Sequence, residues 1–573
     1  MLSHDRRRKR VIYLLVILAC SYIFLFYNLG NYSLKEPDEG RYAEIPREMV
    51  EQGDYVVPHL NYVRYFEKPP LLYWAVALSY KVFGVSEWSF RLPNTLAALL
   101  CVLMTYFFIS HWFGDEVGLL CSLMLLTSFG FFAIAHIMTI DMLFSFLLFG
   151  SLLCFYQYYR DKKPLFLYLF FAALALAILA KGPVAFILLM VTIVLFLWSE
   201  KRLFFLRDML SVKALLLFCV IAAPWFIVMC LREKEFFQFF FVDQHILRFV
   251  TTKHKRSGPL YYFFPVLFGG LFPWSIFIPR AVVQLWRTKE VRLFFIWALV
   301  VFVFFSLSGS KLPPYILPIF PAVAVILARL FRMEWERRIE QNREIIVYAA
   351  FFSCIALTGL AHATGMLDRY LAGLPEIANL SKELRWLALS VSIASLAALG
   401  ALCFRKMRTY RFLFYTLAAF SLVVFVGVML HPHVIDKLNT TKELAREINT
   451  MSGPVPIVIN YGSFDETLPF YLKKGRYIAN HLGELEMGSK YPDAKDHFLD
   501  TEQSASMFRS DRPVFVVLKA KRLSRLQIAG IEHGTMLACQ DKRCLIANKA
   551  AAGAFPSRPT DVRASSVIDG QMR

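Results

Sequence analysis

The chain has 573 residues, of which 57% are hydrophobic and only 18% are charged, a balance that excludes an ordinary soluble domain. The formal net charge of +20 at pH 7 would suggest nucleic acid in a soluble protein, but most of the excess lies in short loops between apolar runs. We therefore predict a multi-pass membrane protein that meets anionic lipids rather than nucleic acid.

Apolar runs recur from Val11–Tyr27 to Phe412–Leu430, and about thirteen of them are long enough to cross a bilayer. The first run ends in bulky aromatic residues, so we predict an uncleaved span and not a removed signal peptide. The predicted spans begin near residues 11, 91, 117, 141, 164, 183, 212, 261, 292, 314, 345, 385 and 410.

The charges of the connecting loops predict the orientation of these spans. With the N-terminus in the cytoplasm, every inner loop except the short FGDE turn is rich in Lys and Arg, as the positive-inside rule requires. Because the number of spans is odd, the residues after the last span are expected on the outer side.

The predicted fold class is mainly α, a polytopic membrane helical bundle with a small outer α/β domain. Residues 1–430 are assigned to the transmembrane domain, and residues 30–91 within it to the first outer loop. In that loop, RYAEIPREMV and PPLLYWAVALSYKVFG have the apolar spacing of helices. The second of these is short for a span and is expected to lie at the membrane interface.

Residues 431–550 have the composition of a globular α/β domain, and residues 551–573 are predicted to be a mobile tail. The segments VPIVINY, GRYIAN, RPVFVVLKA and GTMLAC are predicted strands, and FDETLPFYLKK and KRLSRLQIAG are predicted helices. Cys539 and Cys544 flank QDKR in an apparent hairpin, and the sequence leaves open whether they form a disulfide.

The segment EPDEGRYAEIPREM places charged residues directly after the first apolar run. Asp38 and Glu39 follow Pro37, and Arg41 comes three residues after Asp38. Ionisable groups beside a membrane span are costly, so they indicate function. An ordinary helix cap is the alternative explanation for Asp38 and Arg41.

Three further positions carry ionisable residues on the same predicted side. Glu67 and Lys68 precede a double proline in YFEKPPLLYW, where a surface charge pair is the alternative. Asp141 in HIMTID stands between two spans, with a helix N-cap as the alternative. Lys181 interrupts a nearly uncharged stretch, and its alternative is an amine that extends to the membrane surface. Because one topology places all of them outside, we predict a shared site.

Carboxylates combined with Lys and Arg at an outer membrane surface indicate a substrate that carries phosphate. Arg binds phosphate through two parallel hydrogen bonds and Lys binds it as a point charge. The sequence has no Walker or Rossmann glycine pattern, and there is no nucleotide pool outside the membrane, so an activated group must arrive on a lipid. A sugar linked to a polyprenyl phosphate fits: cations stabilise the departing phosphate while a carboxylate positions or deprotonates the acceptor.

The motifs EPDEGRYAEIPREM, YFEKPPLLYW, HIMTIDM, AKGP, HILRF with HKRSGPLYY, and SGSKLPPYILP resemble those of the bacterial lipid A aminoarabinose transferases. These are integral-membrane, lipid-linked-sugar glycosyltransferases related to protein mannosyltransferases. The resemblance implies an inverting transfer of 4-amino-4-deoxy-L-arabinose from undecaprenyl phosphate to a lipid A phosphate, at the periplasmic face of the bacterial inner membrane. The implied partners are that donor, lipid A and membrane lipids.

The resemblance also implies roles for individual residues. Catalytic roles are implied for Asp38, Asp141 and Arg41, and substrate binding for Tyr42, Lys68, Lys181, Arg248 and Tyr315. Glu67 and His245 match positions implied to bind a divalent metal, with zinc as the expected ion. Since an acceptor phosphate is already anionic, Asp38 is expected either to orient it through Arg41 or to bind the donor's amino group.

Two other functions remain as alternatives at this point. A protein O-mannosyltransferase would use Asp38 as a true base, because a Ser or Thr hydroxyl must lose its proton. A lipid or solute transporter is disfavoured, because transporters carry polar residues near the midplane and show inverted repeats. A relative that transfers galacturonate or galactosamine would use the same scaffold with a different sugar pocket.

Overall fold

The computed structural model describes residues 2–247, 258–337, 342–367, 384–404, 408–430, 439–451, 455–473, 477–523, 534–540 and 542–553. The chain divides into two compact units. The helical unit comprises Met1–Leu29 and Leu92–Val434, and the α/β unit comprises Gly30–Arg91 and Ile435–Arg573. Residues 30–91, which the sequence analysis assigns to the transmembrane domain, therefore pack in the structure with the C-terminal residues. Most of the predicted tail, residues 554–573, lies outside the described residues.

The helical unit consists of helices whose apolar composition matches the predicted spans. Those of eight residues or more are Leu2–Ser21, Glu87–Phe113 (which begins in the α/β unit), Asp115–Leu126, Phe129–His136, Ile140–Asp161, Pro164–Lys181, Val184–Ser199, Val212–Arg232, Gln238–Leu247, Phe263–Gly270, Ile278–Leu285, Arg292–Leu307, Ile319–Met333, Asn342–Ala363, Arg385–Cys403 and Tyr410–Met429. Shorter helical turns are Tyr22–Phe26, Phe205–Asp208, Leu260–Tyr262, Trp274–Phe277, Lys289–Val291 and Pro313–Ile316.

Within the described residues, 8 helices are long and apolar enough to cross a membrane, or up to 10 if each of two bent helix pairs is one span. Each predicted apolar segment falls on a helix, but several are short or bent, so the number of about thirteen spans stays a prediction. Among the shorter apolar helices are Val184–Ser199 and the predicted interfacial helix, Leu71–Phe83.

The two bent helix pairs meet at their bends. The first pair, Asp115–Leu126 and Phe129–His136, bends by 62°, and the second, Leu260–Gly270 and Trp274–Leu285, bends by 110°. The Phe129 N–H donates to the Phe272 carbonyl at 3.0 Å, and the buried Trp274 indole N–H donates to the Thr127 hydroxyl at 2.9 Å. These bonds satisfy polar groups that the breaks would otherwise leave unpaired in an apolar interior.

The α/β unit contains two sheets. The small one pairs β1 (His59–Leu60) with β2 (Val63–Arg64). The larger sheet has six strands: β3 (Ile457–Tyr461), β4 (Tyr477–Ala479), β5 (Phe498–Leu499), β6 (Val514–Lys519), β7 (Thr535–Gln540) and β8 (Arg543–Ala547). Their order is β5-β4-β3-β6-β8-β7. The first four strands in this order are parallel, and β8 is antiparallel to both β6 and β7.

The core of this unit lies on both faces of the larger sheet. Successive residues of β6 alternate between two buried clusters, with Val516 in one and Phe515 and Val517 in the other. Burial on both faces explains why this strand is a continuous apolar run. The helices of the unit are Asp38–Gln52, Leu71–Phe83, Lys442–Asn449, Thr467–Leu472, Thr501–Phe508 and Lys549–Gly553, with short turns at Gly483–Leu485, Gly488–Lys490, Pro492–His497 and Ala520–Arg522.

The predicted elements of the C-terminal part agree with the structure where it is described. The four predicted strands correspond to β3, β4, β6 and β7, and FDETLPFYLKK contains the helix Thr467–Leu472. Most of the predicted helix KRLSRLQIAG lies outside the described residues. The structure adds β5 and β8, and a disulfide joins Cys539 to Cys544, which settles that open alternative.

Candidate active site

The helix Asp38–Gln52, here called the acidic helix, carries the charged motif of the first outer loop. It begins with Asp38 and Glu39 in its first turn, where negative charge is favoured by the helix dipole. It ends at Gly53, which has a positive φ of 73°. The N-cap is Pro37, without a side-chain capping bond, so the interpretation of Asp38 as an ordinary cap is wrong.

The acidic helix starts against the N-terminus of the helix Thr467–Leu472 of the same unit. The Glu36 carboxylate accepts hydrogen bonds from the backbone N–H groups of Glu466 and Thr467, each at 2.8 Å. A Cβ at Gly40 would lie 2.5 Å from backbone atoms of those two residues, so only glycine allows this close approach. The first loop is thereby fixed to the C-terminal sheet domain.

Arg41 is the centre of the first cluster of functional side chains. Its side chain is only 4% exposed, and it pairs with Asp38 at 2.7 Å and with the Glu484 carboxylate. It also donates to the Tyr65 hydroxyl at 3.1 Å. Burial alone would lower the pKa of Arg41, yet the surrounding phenols and carboxylates raise it well above its usual value. The Asp38 side chain is 43% exposed, so its carboxylate is accessible to a ligand.

Aromatic hydroxyls and a further carboxylate lie beside this cluster. Burial and the charges of Glu484 and Glu67 raise the pKa of Tyr65, which places Glu67 near the same phenol. The Tyr42 ring lies 6.0 Å from the Tyr73 ring, centroid to centroid. Glu67 is buried, so its interpretation as part of a surface charge pair is wrong, while the neighbouring Lys68 is half-buried.

The second cluster belongs to the helical unit. Asp141 lies in the first turn of the helix Ile140–Asp161, whose N-cap is Thr139, so the N-cap interpretation of Asp141 is wrong. Lys181 is the last residue of its helix and forms an ion pair with Asp141, with side chains 11% and 7% exposed. The Lys181 ammonium also lies 4.4 Å from the centroid of the Tyr315 ring, a cation–π contact. Lys181 therefore points into the protein, and its snorkelling interpretation is wrong.

The structure thus brings Asp38, Arg41, Tyr42 and Glu67 together in the α/β unit, and Asp141, Lys181 and Tyr315 together in the helical unit. Arg248 and the side chain of His245 lie outside the part of the chain that the structure describes. Their predicted roles stay predictions, as does the role of Lys68.

Two charged residues with buried or paired side chains were not singled out by the sequence analysis. Lys311 is buried and donates to the Ser308 carbonyl at 2.7 Å, in the motif that also carries Tyr315. A lysine in an otherwise uncharged segment between two apolar runs is the signal that could have found it. Glu484 lies in a charged surface segment of the globular domain, where nothing in the sequence distinguishes it from neighbouring Glu486.

The predicted metal site can be compared with the residues present. Zinc sites in proteins use three or four ligands, of which His, Cys, Asp and Glu are the usual ones. Among the described residues there is no group of three or more such side chains placed to hold a metal ion. Glu67 instead lies among tyrosines beside the Arg41 cluster. Because the His245 side chain lies outside the described part of the chain, the predicted metal site of Glu67 and His245 stays a prediction.

An apolar cavity of about 360 Å³ lies in the helical unit at the bends of the two broken helix pairs. Phe129, Ile134, Val266, Pro314 and Phe320 are among the residues that line it. Pro314 directly precedes Tyr315 of the second cluster. The cavity has the lining expected for a hydrocarbon chain.

Known families match most of this architecture. Residues 10–240 match the family described as dolichyl-phosphate-mannose-protein mannosyltransferase, and residues 444–548 match the aminoarabinose transferase C-terminal domain. The fold is similar to the crystal structure of ArnT from Cupriavidus metallidurans bound to undecaprenyl phosphate, with a TM-score of 0.81 and 26% identity over 96% of this chain and 99% of that one. The chain is similar to the aminoarabinose transferases along nearly all of its length.

Curated members of the aminoarabinose transferase family are similar along nearly their whole length. An undecaprenyl phosphate-alpha-4-amino-4-deoxy-L-arabinose arabinosyl transferase of Proteus mirabilis is 27% identical over 541 residues, which cover 92% of this chain and 96% of that protein. The enzyme of the same name from Yersinia enterocolitica is 27% identical over 494 residues, covering 82% and 86%. Asp38, Arg41, Asp141 and Lys181 lie in the part that matches the mannosyltransferase family, and Glu484 lies in the part that matches the aminoarabinose transferase C-terminal domain.

Proposed function

We propose that the chain transfers 4-amino-4-deoxy-L-arabinose from undecaprenyl phosphate to a phosphate of lipid A, on the periplasmic side of the bacterial inner membrane. The observation that carries the proposal is the match along 96% of the chain to ArnT, whose crystal structure contains undecaprenyl phosphate. The two clusters of carboxylates and cations supply the chemistry that such a transfer needs.

In the proposed reaction a phosphate oxygen of lipid A attacks the anomeric carbon of the sugar. A new C–O bond forms on one face while the bond to undecaprenyl phosphate breaks on the other, and its electron pair leaves with the carrier phosphate. The sugar passes through an oxocarbenium-like state, so cations are needed where negative charge increases on the departing phosphate. Lys68, Lys181 and Arg248 are the cations assigned to this role, with Tyr315 as a hydrogen-bond donor.

Asp38 has a different task in this mechanism. The acceptor phosphate is already anionic, so no proton has to be removed before it attacks. Asp38 is half-exposed and bound to Arg41, and it orients the acceptor through that guanidinium or binds the ammonium of the donor sugar. Asp141 forms an ion pair with Lys181 and holds the Lys181 ammonium in place beside the Tyr315 ring.

The apolar cavity of the helical unit is assigned to hydrocarbon from one of the two lipid substrates. Its volume of about 360 Å³ suits a segment of a hydrocarbon chain rather than a whole undecaprenyl carrier.

The orientation with the N-terminus in the cytoplasm is supported by the basic inner loops. It is also supported by Arg10, which pairs at 2.8 Å with Asp115 of the FGDE turn.

Transfer to a protein hydroxyl is the second candidate, because residues 10–240 match the protein mannosyltransferase family. In that reaction Asp38 would have to accept a proton from Ser or Thr. The two candidates differ in the molecule that gains a sugar.

Mass spectrometry of lipid A separates these possibilities. The chain is expressed in a bacterial host that lacks its own transferase but still makes the donor lipid, beside an empty vector and the variant Asp38→Asn. Lipid A that gains the mass of one aminoarabinose only with the wild-type chain supports the proposal. A different added mass, such as that of galacturonate, would change the assigned sugar, and glycosylated protein with unmodified lipid A would favour the second candidate.

A further inference from the structure

Glu484 of the C-terminal sheet domain contacts the same guanidinium as the predicted catalytic Asp38. It lies in the short turn Gly483–Leu485 that follows β4, and its side chain is 30% exposed. Its carboxylate accepts hydrogen bonds from Arg41 and from the Tyr65 hydroxyl, the latter at 3.2 Å. Gly483 has a positive φ of 53°, a backbone conformation that favours glycine.

The carboxylates of Asp38 and Glu484 bind different nitrogen atoms of the Arg41 guanidinium. Asp38 accepts from Nη2 of Arg41, whereas Glu484 and the Tyr65 hydroxyl accept from Nη1. The Arg41 Nε is buried without a hydrogen-bond partner among the described residues. An arginine can bind a carboxylate through two parallel bonds from Nη1 and Nη2, and here Glu484 and the Tyr65 hydroxyl occupy Nη1, so Asp38 does not bind both of these nitrogens.

We infer that Glu484 is a positioning residue of the transfer site, which holds Arg41 so that the Asp38 carboxylate stays directed toward substrate. The inference rests on the proposed function and gives the C-terminal domain a part in it. Without Glu484, the almost wholly buried Arg41 would keep Asp38 as its one anionic hydrogen-bond partner among the described residues. It would turn to bind Asp38 through two bonds and withdraw that carboxylate from the ligand.

The other ionisable groups around Arg41 do not replace Glu484. Burial and the charge of Glu36 raise the pKa of Glu466 well above its usual value, so this carboxyl favours its neutral form. The phenols of Tyr65 and Tyr73 also have raised pKa values, mainly through burial, and stay protonated at neutral pH.

Steady-state kinetics with purified protein, undecaprenyl-phosphate-linked aminoarabinose and lipid A test this inference. Glu484→Gln keeps an acceptor oxygen but removes the charge, and we expect kcat to fall about tenfold, because a hydrogen bond between two charged groups is replaced by a weaker one. KM for the donor should change less than about threefold, since Glu484 itself is not assigned to substrate. Glu484→Asp keeps the charge and should lose less than Glu484→Gln.

Glu486→Gln is the matched control, because Glu486 is an exposed carboxyl only two residues away. It should have wild-type kcat, and the melting temperatures of all folded variants should stay close to the wild-type value. A wild-type kcat in Glu484→Gln would overturn the inference, as would equal losses in the Gln and Asp variants accompanied by lower melting temperatures. If Glu484→Gln does not fold, Glu484→Ala takes its place: a folded Glu484→Ala variant with wild-type kcat would overturn the inference, and one with reduced kcat and an unchanged melting temperature supports it.

The same assay distinguishes this inference from the function on which it rests. An inactive wild-type protein would contradict the proposed function and with it the role of Glu484. An active wild-type protein whose kcat does not depend on Glu484 would contradict the inference alone.

Discussion

The two clusters use the same kinds of side chain in different arrangements. In the helical unit Asp141 and Lys181 form a closed one-to-one pair, with both side chains almost fully buried. In the α/β unit one buried cation, Arg41, is shared between Asp38 and Glu484, and the Asp38 side chain is 43% exposed. The closed pair is electrically balanced, whereas the open cluster has an excess negative charge that a ligand can reach. Substitutions in the first cluster should therefore reduce stability in addition to removing the phosphate contact assigned to Lys181, whereas substitutions in the second should act mainly on activity.

Asp38→Asn gives the largest expected effect, and the effect should be on activity alone. The variant keeps the shape of the side chain and one acceptor for Arg41, but it removes the accessible negative charge. We expect transfer to lipid A to fall at least about 100-fold, because charge stabilisation in such sites contributes several kcal/mol to the barrier. Mass spectrometry of lipid A from cells measures the activity. An unchanged level of modified lipid A would contradict the catalytic assignment of Asp38.

Lys181→Met should instead destabilise the protein. Removal of one partner from a buried ion pair leaves an uncompensated charge and typically costs about 3–5 kcal/mol. Thermal unfolding in detergent measures the loss. The double variant Asp141→Asn with Lys181→Met removes both charges, so it should be more stable than Lys181→Met alone.

The double variant also sharpens the comparison between the clusters. We expect it to recover stability but not transfer, because the ammonium assigned to the carrier phosphate is missing. A double variant no more stable than Lys181→Met would show that the pair is not the closed unit described here.

Gly40→Ala tests the fit of the acidic helix against the sheet domain. The new Cβ would lie 2.5 Å from backbone atoms of Glu466 and Thr467, which cannot move aside as a flexible side chain would. Overpacking of this kind costs about 1–3 kcal/mol. The control is Gly553→Ala, since a Cβ at Gly553 meets nothing within 4 Å. Equal melting temperatures for the two variants would contradict the close contact at Gly40.

Glu466→Gln should have the smallest effect, visible as a change in pH dependence. Burial and Glu36 raise the folded-state pKa of Glu466, so its stabilisation is present at low pH and is lost as pH rises through the raised value. The Gln side chain does not ionise. The melting temperature should therefore fall less between pH 5 and pH 8 in the variant than in the wild type, and a parallel pH dependence would contradict the raised pKa.

Hydropathy and periodicity were sufficient to predict the apolar helices and four of the six strands of the larger sheet. These signals are local, and residues buried on both faces, such as those of β6, repeat them over several positions. β5 has only two residues, Phe498 and Leu499, too few to show a pattern. The count of about thirteen spans stays a prediction, because bent and short helices do not follow the length rule.

The candidate site was predictable where a charge stands out from its surroundings. Lys181 is conspicuous in an apolar run, and the cost of burying a lysine made it a functional candidate whose partner, Asp141, the structure then supplied. Glu484 has no such contrast with its neighbours. Its contact with Arg41 joins residues separated by 443 positions, and the packing of Gly40 on Glu466 is of the same kind. Such contacts depend on the tertiary fold and leave no local pattern in one sequence.

The most direct test of the proposed function is transfer by the purified chain in vesicles. The chain would be reconstituted with lipid A and undecaprenyl-phosphate-linked aminoarabinose, and both lipids would be followed by mass spectrometry. We predict that lipid A gains one aminoarabinose for each undecaprenyl phosphate released, and that the Asp38→Asn protein does neither. Unmodified lipid A and intact donor after incubation with folded wild-type protein would contradict the account.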